Sequence, residues 1–139
     1  MSIKKVLTIA GLIQVEELEY KRIWRLFKKE GVYGMNALTV IVTMDSWNRW
    51  VHKVFPVEVS VIKEQIDTVI NGIGVDALKT GMLPTAEIIE YVGSVLKNLK
   101  NPIVIDPVMV CKVTSGSTKN LFPENVDAMK KCLLPYATV

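Results

Sequence analysis

Short strand-like stretches punctuate the chain, and amphipathic stretches separate them. Residues 6–11, 35–43 and 103–105 are rich in Val, Ile, Leu, Ala and Thr, with little polar alternation, and 75–80, Val-Asp-Ala-Leu-Lys-Thr, is read as a further strand of more mixed character. Such runs read as strands buried on both faces, as in a parallel sheet covered by helices. Between them apolar residues recur at helical spacing. Tyr20, Ile23, Trp24 and Phe27 fall on one face of a helix predicted over 14–30. Lys21, Arg22, Arg25, Lys28 and Lys29 lie on its other side, and Gly31 is its expected stop. Val59, Ile62, Ile66, Val69 and Ile70 share a face of a second helix over 57–71. Pro84 is expected in the first turn of a third, which buries Ile88, Val92, Val95, Leu96 and Leu99. Pro123 and Glu124 open a fourth, with Val126, Met129 and Leu133 inward and Lys130-Lys131 near its end, as the helix dipole favours.

Two stretches fit neither period. Residues 44–56 carry Trp47, Trp50 and the single histidine, His52, and are expected to form an irregular connection of the kind that serves as a lid or an interface. Residues 113–122 are polar and turn-rich. The last residues, Ala137, Thr138 and Val139, look like the opening of a fifth strand. Strand alternating with helix throughout predicts a three-layer α/β fold, with a mostly parallel sheet, right-handed crossovers and helices on both faces. A chain of 139 residues with no linker or repeat is one such unit, 1–139.

Composition narrows the function classes. Half of the residues are hydrophobic and 22% are charged, which is a globular balance. The net charge of +3 is modest, and part of it sits on one helix face that reads as solvated, so no nucleic-acid partner is expected. No run approaches the ~20 apolar residues of a membrane span. Lys4-Lys5 and the apolar run behind them are followed at once by Glu16-Glu17, without the small-residue cleavage site of a secretory signal. Two cysteines, Cys111 and Cys132, lack metal spacing and disulfide density, which fits a cytoplasmic protein. With one histidine, histidine-rich metal chemistry is excluded, and no Walker loop or GxGxxG is present.

The chemistry is expected at one place. In a parallel sheet all strand carboxyl ends open onto one rim, where such folds bind ligands. Ile103 to Ile105 run directly into Asp106-Pro107, and proline ends a ladder, so Asp106 stands at a strand tip. The same rim gathers Gly11, Met44, Gly81 and Met82, with Val108, Cys111 and Lys112 just beyond Asp106. Gly11 and Gly81 would let a ligand approach the backbone. Met44, Met82 and Val108 would line an adaptable apolar slot for a flat ring. Asp106 would hold a metal or orient a cation near phosphate. His52, on a segment that leaves a site-facing strand end, is a further contact candidate.

The segments KKVLTIAG, VYGMNALTVIVTMD, GVDALKTGML, AEIIE, VIDPVMVCK and LLPYATV resemble, in order and spacing, the N-terminal half of the vitamin kinases of the ribokinase-like fold. That group contains the hydroxymethylpyrimidine (phosphate) kinases of thiamine synthesis and the bacterial pyridoxal kinases. The resemblance covers residues 1–11 and about 31–139. It implies an ATP- and Mg2+-dependent kinase that phosphorylates the hydroxymethyl group of a B-vitamin ring. The pyrimidine kinases carry a glutamine where this chain has Met44 after Val42-Thr43; Met44, Thr80 and Cys111 look more like the pyridoxal branch. A thiolate adds reversibly to an aldehyde, which pyridoxal has, and Lys112 beside Cys111 would favour the thiolate. The resemblance places Asp106 and Lys112 towards phosphate and magnesium.

Two departures accompany the match. The family's glycine-rich GSD-x-S-GGAG-like substrate loop is replaced after Gly11 by Leu12, Ile13, Gln14 and Val15. The family's C-terminal half, with its nucleotide site, anion hole and catalytic base, has no counterpart in these residues. Hence no catalytic residue is assigned, and unaided turnover is not expected. A strand opened at 137–139 would expose unpaired backbone, so homo-oligomerisation is expected. The alternatives are a pyrimidine kinase and a non-catalytic relative that binds a ring or only itself.

Overall fold

The computed structural model describes residues 2–13, 19–112, 118–120 and 125–139. Its order is β1 (Lys5–Ile13), α1 (Glu19–Lys29), β2 (Tyr33–Asp45), β3 (Val51–Pro56), α2 (Val59–Asp67), β4 (Ala77–Thr80), α3 (Ala86–Leu96), β5 (Ile103–Ile105), β6 (Val110–Lys112), β7 (Thr118–Asn120) and α4 (Val126–Cys132). Among the described residues five strands make one sheet in the order β3-β2-β1-β4-β5. β1 pairs in parallel with β2 and β4, and β4 pairs in parallel with β5. Only β3 runs antiparallel, at the edge beside β2.

Register explains the layers. Leu7, Met35, Leu78 and Ile103 lie side by side across four strands, and Ile9, Ala37, Thr80 and Ile105 form the next row. All eight are buried. All but Thr80 join Ile62, Ile66 and Val69 of α2 and its extension, Ile88, Ile89, Val92 and Leu96 of α3, and Met129 of α4 with Leu133 at its C-cap in one core. α3 and α4 approach closely at Gly93, where a Cβ would lie 2.9 Å from the Cβ of Cys132. The opposite face carries Val6, Thr8, Gly34, Asn36, Lys79 and Val104, and α1 sits on it. Its contact at Gly34 is intimate: a Cβ there would strike Cδ2 of Phe27.

Helix ends follow local chemistry. Gly31 adopts φ +67° and the Val32 N–H donates to Phe27 O at 2.8 Å, so α1 stops at the predicted glycine. α2 widens into a π-helical turn, Thr68–Ile73, closed by Gly74 at φ +83°. The third helix begins later than expected. Thr85 is its N-cap, accepting from the Ile88 N–H at 3.2 Å, and Pro84 lies ahead of the cap instead of in the first turn.

Two further expectations change. Residues 44–56 are not irregular: β3 returns beside β2 as a hairpin, with Met44 opposite His52. The turn between them uses left-handed backbone at Arg49 and Trp50. The polar stretch after Lys112 contains β7, which pairs with β6, so Cys111 lies opposite Lys119; residues 113–117 and 121–124 lie outside the described residues. The strand-like tail is observed. The Val139 N–H donates to Ile103 O at 3.2 Å and Val139 O accepts from the Ile105 N–H at 2.9 Å, the bonding of a parallel pair.

Candidate functional site at the strand carboxyl ends

The sheet order creates a topological switch point between β1 and β4. The connection from β1 leads to β2 on one side, while that from β4 leads to β5 on the other. Where adjacent strands send their connections in opposite directions, the rim opens between them, and open α/β sheets bind ligands there. Gly81 and Met82 follow the end of β4, and Gly11 lies in β1, just past the last residue of β1 that pairs with β4 and two residues before the end of β1.

These three residues are brought together. The Gly81 N–H donates to Ile9 O at 2.9 Å, extending the ladder one residue beyond β4. A Cβ on Gly11 would lie 3.5 Å from Met82 Sδ and would collide with Cγ1 of Val40. The space that glycine leaves is therefore filled by a neighbouring methyl, and the β1–β2 register shifts at this point, between Ala10 and Leu12. The Met82 backbone is fixed by a residue that sequence pattern did not single out. The buried Thr39 hydroxyl donates to Met82 O at 2.7 Å. A threonine inside an apolar β-branched run gives no periodic signal, so only the fold reveals it.

Asp106 stands at the tip of β5, its N–H donating to Thr80 O at 3.3 Å. Its carboxylate Oδ2 lies 3.1 Å from Lys79 Nζ, and the same ammonium donates to Thr80 O at 3.2 Å. Lys79 is the second residue missed. A cation in the middle of the short strand Ala-Leu-Lys-Thr was the available signal. The Val108 N–H folds back onto Asp106 O at 2.9 Å, which turns the chain over the rim. Cys111 and Lys112 are placed only by their backbone in β6.

Met44 and His52 form a separate group. They face each other across the hairpin, on β2 and β3, with β1 between them and the β4 tip. Asp45 and Lys53 clasp the hairpin at 3.0 Å, and the Trp47 N–H donates to Asp45 Oδ1 at 3.1 Å. The Lys53 hydrogen bond, aided by that N–H, holds the Asp45 carboxyl below its ordinary value. Trp47 is 98% exposed at the turn.

A concavity of about 310 Å³ lies away from this rim, between α2 and α3, lined by Ile66, Ile70, Tyr91 and Val95 among others. Burial, with the nearby Asp67 charge, raises the Tyr91 phenol there. None of the candidate residues borders it.

Magnesium is the ion that the resemblance implies. It wants an octahedron of hard oxygens, of which a protein supplies one or two carboxylates and the nucleotide the rest. Among the described residues no three His, Cys, Asp or Glu side chains form a metal-binding group. Of the two acids near the rim, Asp45 is clasped by Lys53 and Asp106 by Lys79. The described donors do not fit a directly held Mg2+.

Gly11, Gly81 and Met82 at the β1/β4 switch point, beside the Lys79–Asp106 pair, stand where open α/β folds bind small molecules at their strand tips. The sequence profile of the family described as phosphomethylpyrimidine kinase matches residues 25–139, and the chain belongs to that family. Within it, the chain is 49% identical to pyridoxine kinase of Bacillus subtilis over 141 aligned residues, covering 100% of this chain and 51% of that one. It is 35% identical to the hydroxymethylpyrimidine/phosphomethylpyrimidine kinase of the same organism, covering 97% and 48%. The structure of Staphylococcus aureus pyridoxal kinase in complex with AMP-PCP and pyridoxal superposes with a TM-score of 0.85 at 42% identity, over 99% of this chain and 47% of that chain. The resemblance read from the sequence, and the ribokinase-like α/β architecture with it, are thus borne out. The chain spans about half the length of the curated relatives it matches. Among the described residues no helix is long and apolar enough to cross a membrane.

Proposed function

We propose that this chain is the ring-binding, N-terminal half of a vitamin B6 kinase. The activity is transfer of a phosphoryl group from ATP to the hydroxymethyl group of pyridoxal or pyridoxine, in the cytoplasm. The observation that carries this is the convergence of Gly11, Gly81 and Met82 at the switch point beside Asp106. Greater identity to pyridoxine kinases than to the pyrimidine kinase of the same organism favours the B6 ring. Met82, with Val108 beyond Asp106, offers an apolar and partly polarisable wall to a planar ring, and Met44 on the hairpin stands apart from it. Phosphoryl transfer needs positioning and charge stabilisation above all, and the residues proposed here supply the first.

The aldehyde distinguishes pyridoxal from its relatives, and Cys111 is its proposed partner. Its sulfur adds to the carbonyl carbon, the C=O π pair becomes a hydroxyl, and the thiol proton ends on that oxygen. Nothing is oxidised, and the step reverses on release. Titration with pyridoxal should give an absorbance change that pyridoxine does not give and Cys111→Ala loses. An unchanged response in that variant overturns the role of Cys111.

One feature favours a second reading, in which the chain binds a ring without turnover. β1 continues beyond Gly11, pairing Leu12 with Ile41 and Ile13 with Val42, where the resemblance leads one to expect a glycine-rich substrate loop. ATP consumption measured with pyridoxal, pyridoxine and hydroxymethylpyrimidine, beside binding without ATP, separates the readings. Turnover of a B6 ring supports the kinase, and turnover of the pyrimidine alone moves the assignment to thiamine synthesis. Binding without turnover supports the second reading, and no binding overturns both. Self-association belongs to the same proposal. Phe55 and Val51 on edge strand β3 are exposed, as is Val104 on β5. A clean monomer by light scattering at high concentration would remove it.

A further inference from the structure

The pair at the tip of β5 suggests what Asp106 does, on the premise that the rim is the kinase site. Lys79 and Asp106 project on the same face of the sheet, the face that carries α1, and Lys79 is placed beside Thr8 on β1 and Val104 on β5. Its side chain is only 21% exposed, whereas that of Asp106 is 47% exposed. The ammonium is therefore rooted in the sheet, and the carboxylate is the member that reaches the rim. The lysine donates to Thr80 O at 3.2 Å as well as to Asp106 Oδ2 at 3.1 Å, so its position does not depend on the carboxylate alone.

We infer that Lys79 is the resident cation of Asp106, and that Asp106 acts as a positioned hydrogen-bond acceptor and not as a ligand of a divalent metal. A dication bound to the same carboxylate would lie within about 5–6 Å of the ammonium, and like charges at that distance in a partly buried site repel strongly. The ammonium offsets the carboxylate's charge, which lowers its attraction for a further cation. What the pair offers the rim is a half-exposed carboxylate held in place to accept from an incoming hydroxyl or N–H donor. Lys79 is a positioning residue: it aims the carboxylate and keeps metal away from it. A divalent ion that arrives with ATP is carried by the nucleotide's phosphates and by water.

Mn2+ binding followed by electron paramagnetic resonance, without nucleotide, tests this. The wild-type protein and Asp106→Asn should bind Mn2+ equally weakly. Lys79→Met should gain a Mn2+ site at least tenfold tighter than anything in the wild type, lost again in Lys79→Met/Asp106→Asn, and Lys79→Arg should stay like the wild type. A wild-type Mn2+ site that Asp106→Asn weakens tenfold or more overturns the inference, and so does a folded Lys79→Met that gains none. If Lys79→Met fails to fold, the comparison of wild type with Asp106→Asn still decides. Pyridoxal binding, measured separately on the same proteins, tells failure of this inference from failure of the ring site.

Discussion

Leu78 and Lys79 are consecutive on β4, yet they enter different environments. Leu78 is buried in a row with Leu7, Met35 and Ile103, and three helices close over it. Lys79 lies in a row with Asn36, Thr8 and Val104, and Val104 remains 40% exposed. The first face is packed with apolar side chains, and Thr80 is the one residue of its two rows to bury a hydroxyl without a hydrogen-bond partner. The second leaves two such atoms, Thr8 Oγ1 and Asn36 Oδ1, and it directs its lysine to the rim. One sheet thus divides its labour: stability is concentrated on one side, and charge is delivered to the strand tips from the other.

Substitutions on the two faces should therefore differ in sign as well as size. Leu78→Ala should lower unfolding free energy in urea by about 2–5 kcal/mol, because three helices cannot all collapse onto the cavity it leaves. A loss below about 1 kcal/mol would show the face to be more adaptable than its packing implies. At the rim, Gly11→Ala should push against Val40 while only touching the Met82 sulfur, and at the proposed ring site it should weaken pyridoxal about tenfold, or roughly 1.4 kcal/mol. Gly72→Ala, where the added carbon meets nothing within 4 Å, should leave binding unchanged and serves as the control. On the polar face, Thr8→Val exchanges an unpartnered hydroxyl for a methyl of similar shape and should stabilise the protein by up to about 1 kcal/mol. A destabilising result would mean that an ordered water completes that hydroxyl.

The smallest effect is a pH effect at the hairpin. The Asp45 carboxyl titrates below its ordinary value in the folded state. Its clasp on Lys53 is therefore complete above the usual carboxylate range and is lost as pH falls through the lowered value. Tryptophan emission should report loosening of the turn around Trp47 and Trp50 only below about pH 4. In Asp45→Asn the corresponding acid step should vanish, and if it persists the clasp is not its origin.

Much of this was legible in the residues. The apolar runs at the centre of the sheet, the helical faces, the stop at Gly31 and the strand tip at Asp106 all follow from burial on both sides or from glycine and proline chemistry. What escaped was partly covered structure. β3 alternates only between half-buried and exposed positions, so Val51 to Pro56 carries neither a continuous apolar run nor a clear period of two. β6 and β7 are three residues each, too short for any pattern. The Lys79–Asp106 pair joins residues 27 apart in sequence, and the Thr39–Met82 bond spans 43. Such partners are chosen by the packing of whole elements, and no local window contains both.

The fit of Phe27 over Gly34 has a consequence for that polar face. The ring occupies the room where any other residue would have its first side-chain carbon, so the helix rides lower on the sheet than a substituted strand would permit. A single methyl at position 34 would act as a shim. Lifting the aromatic lid by even part of an ångström would loosen the roof over the neighbouring rungs, Thr8 and Asn36, and invite solvent towards oxygens that now go unanswered.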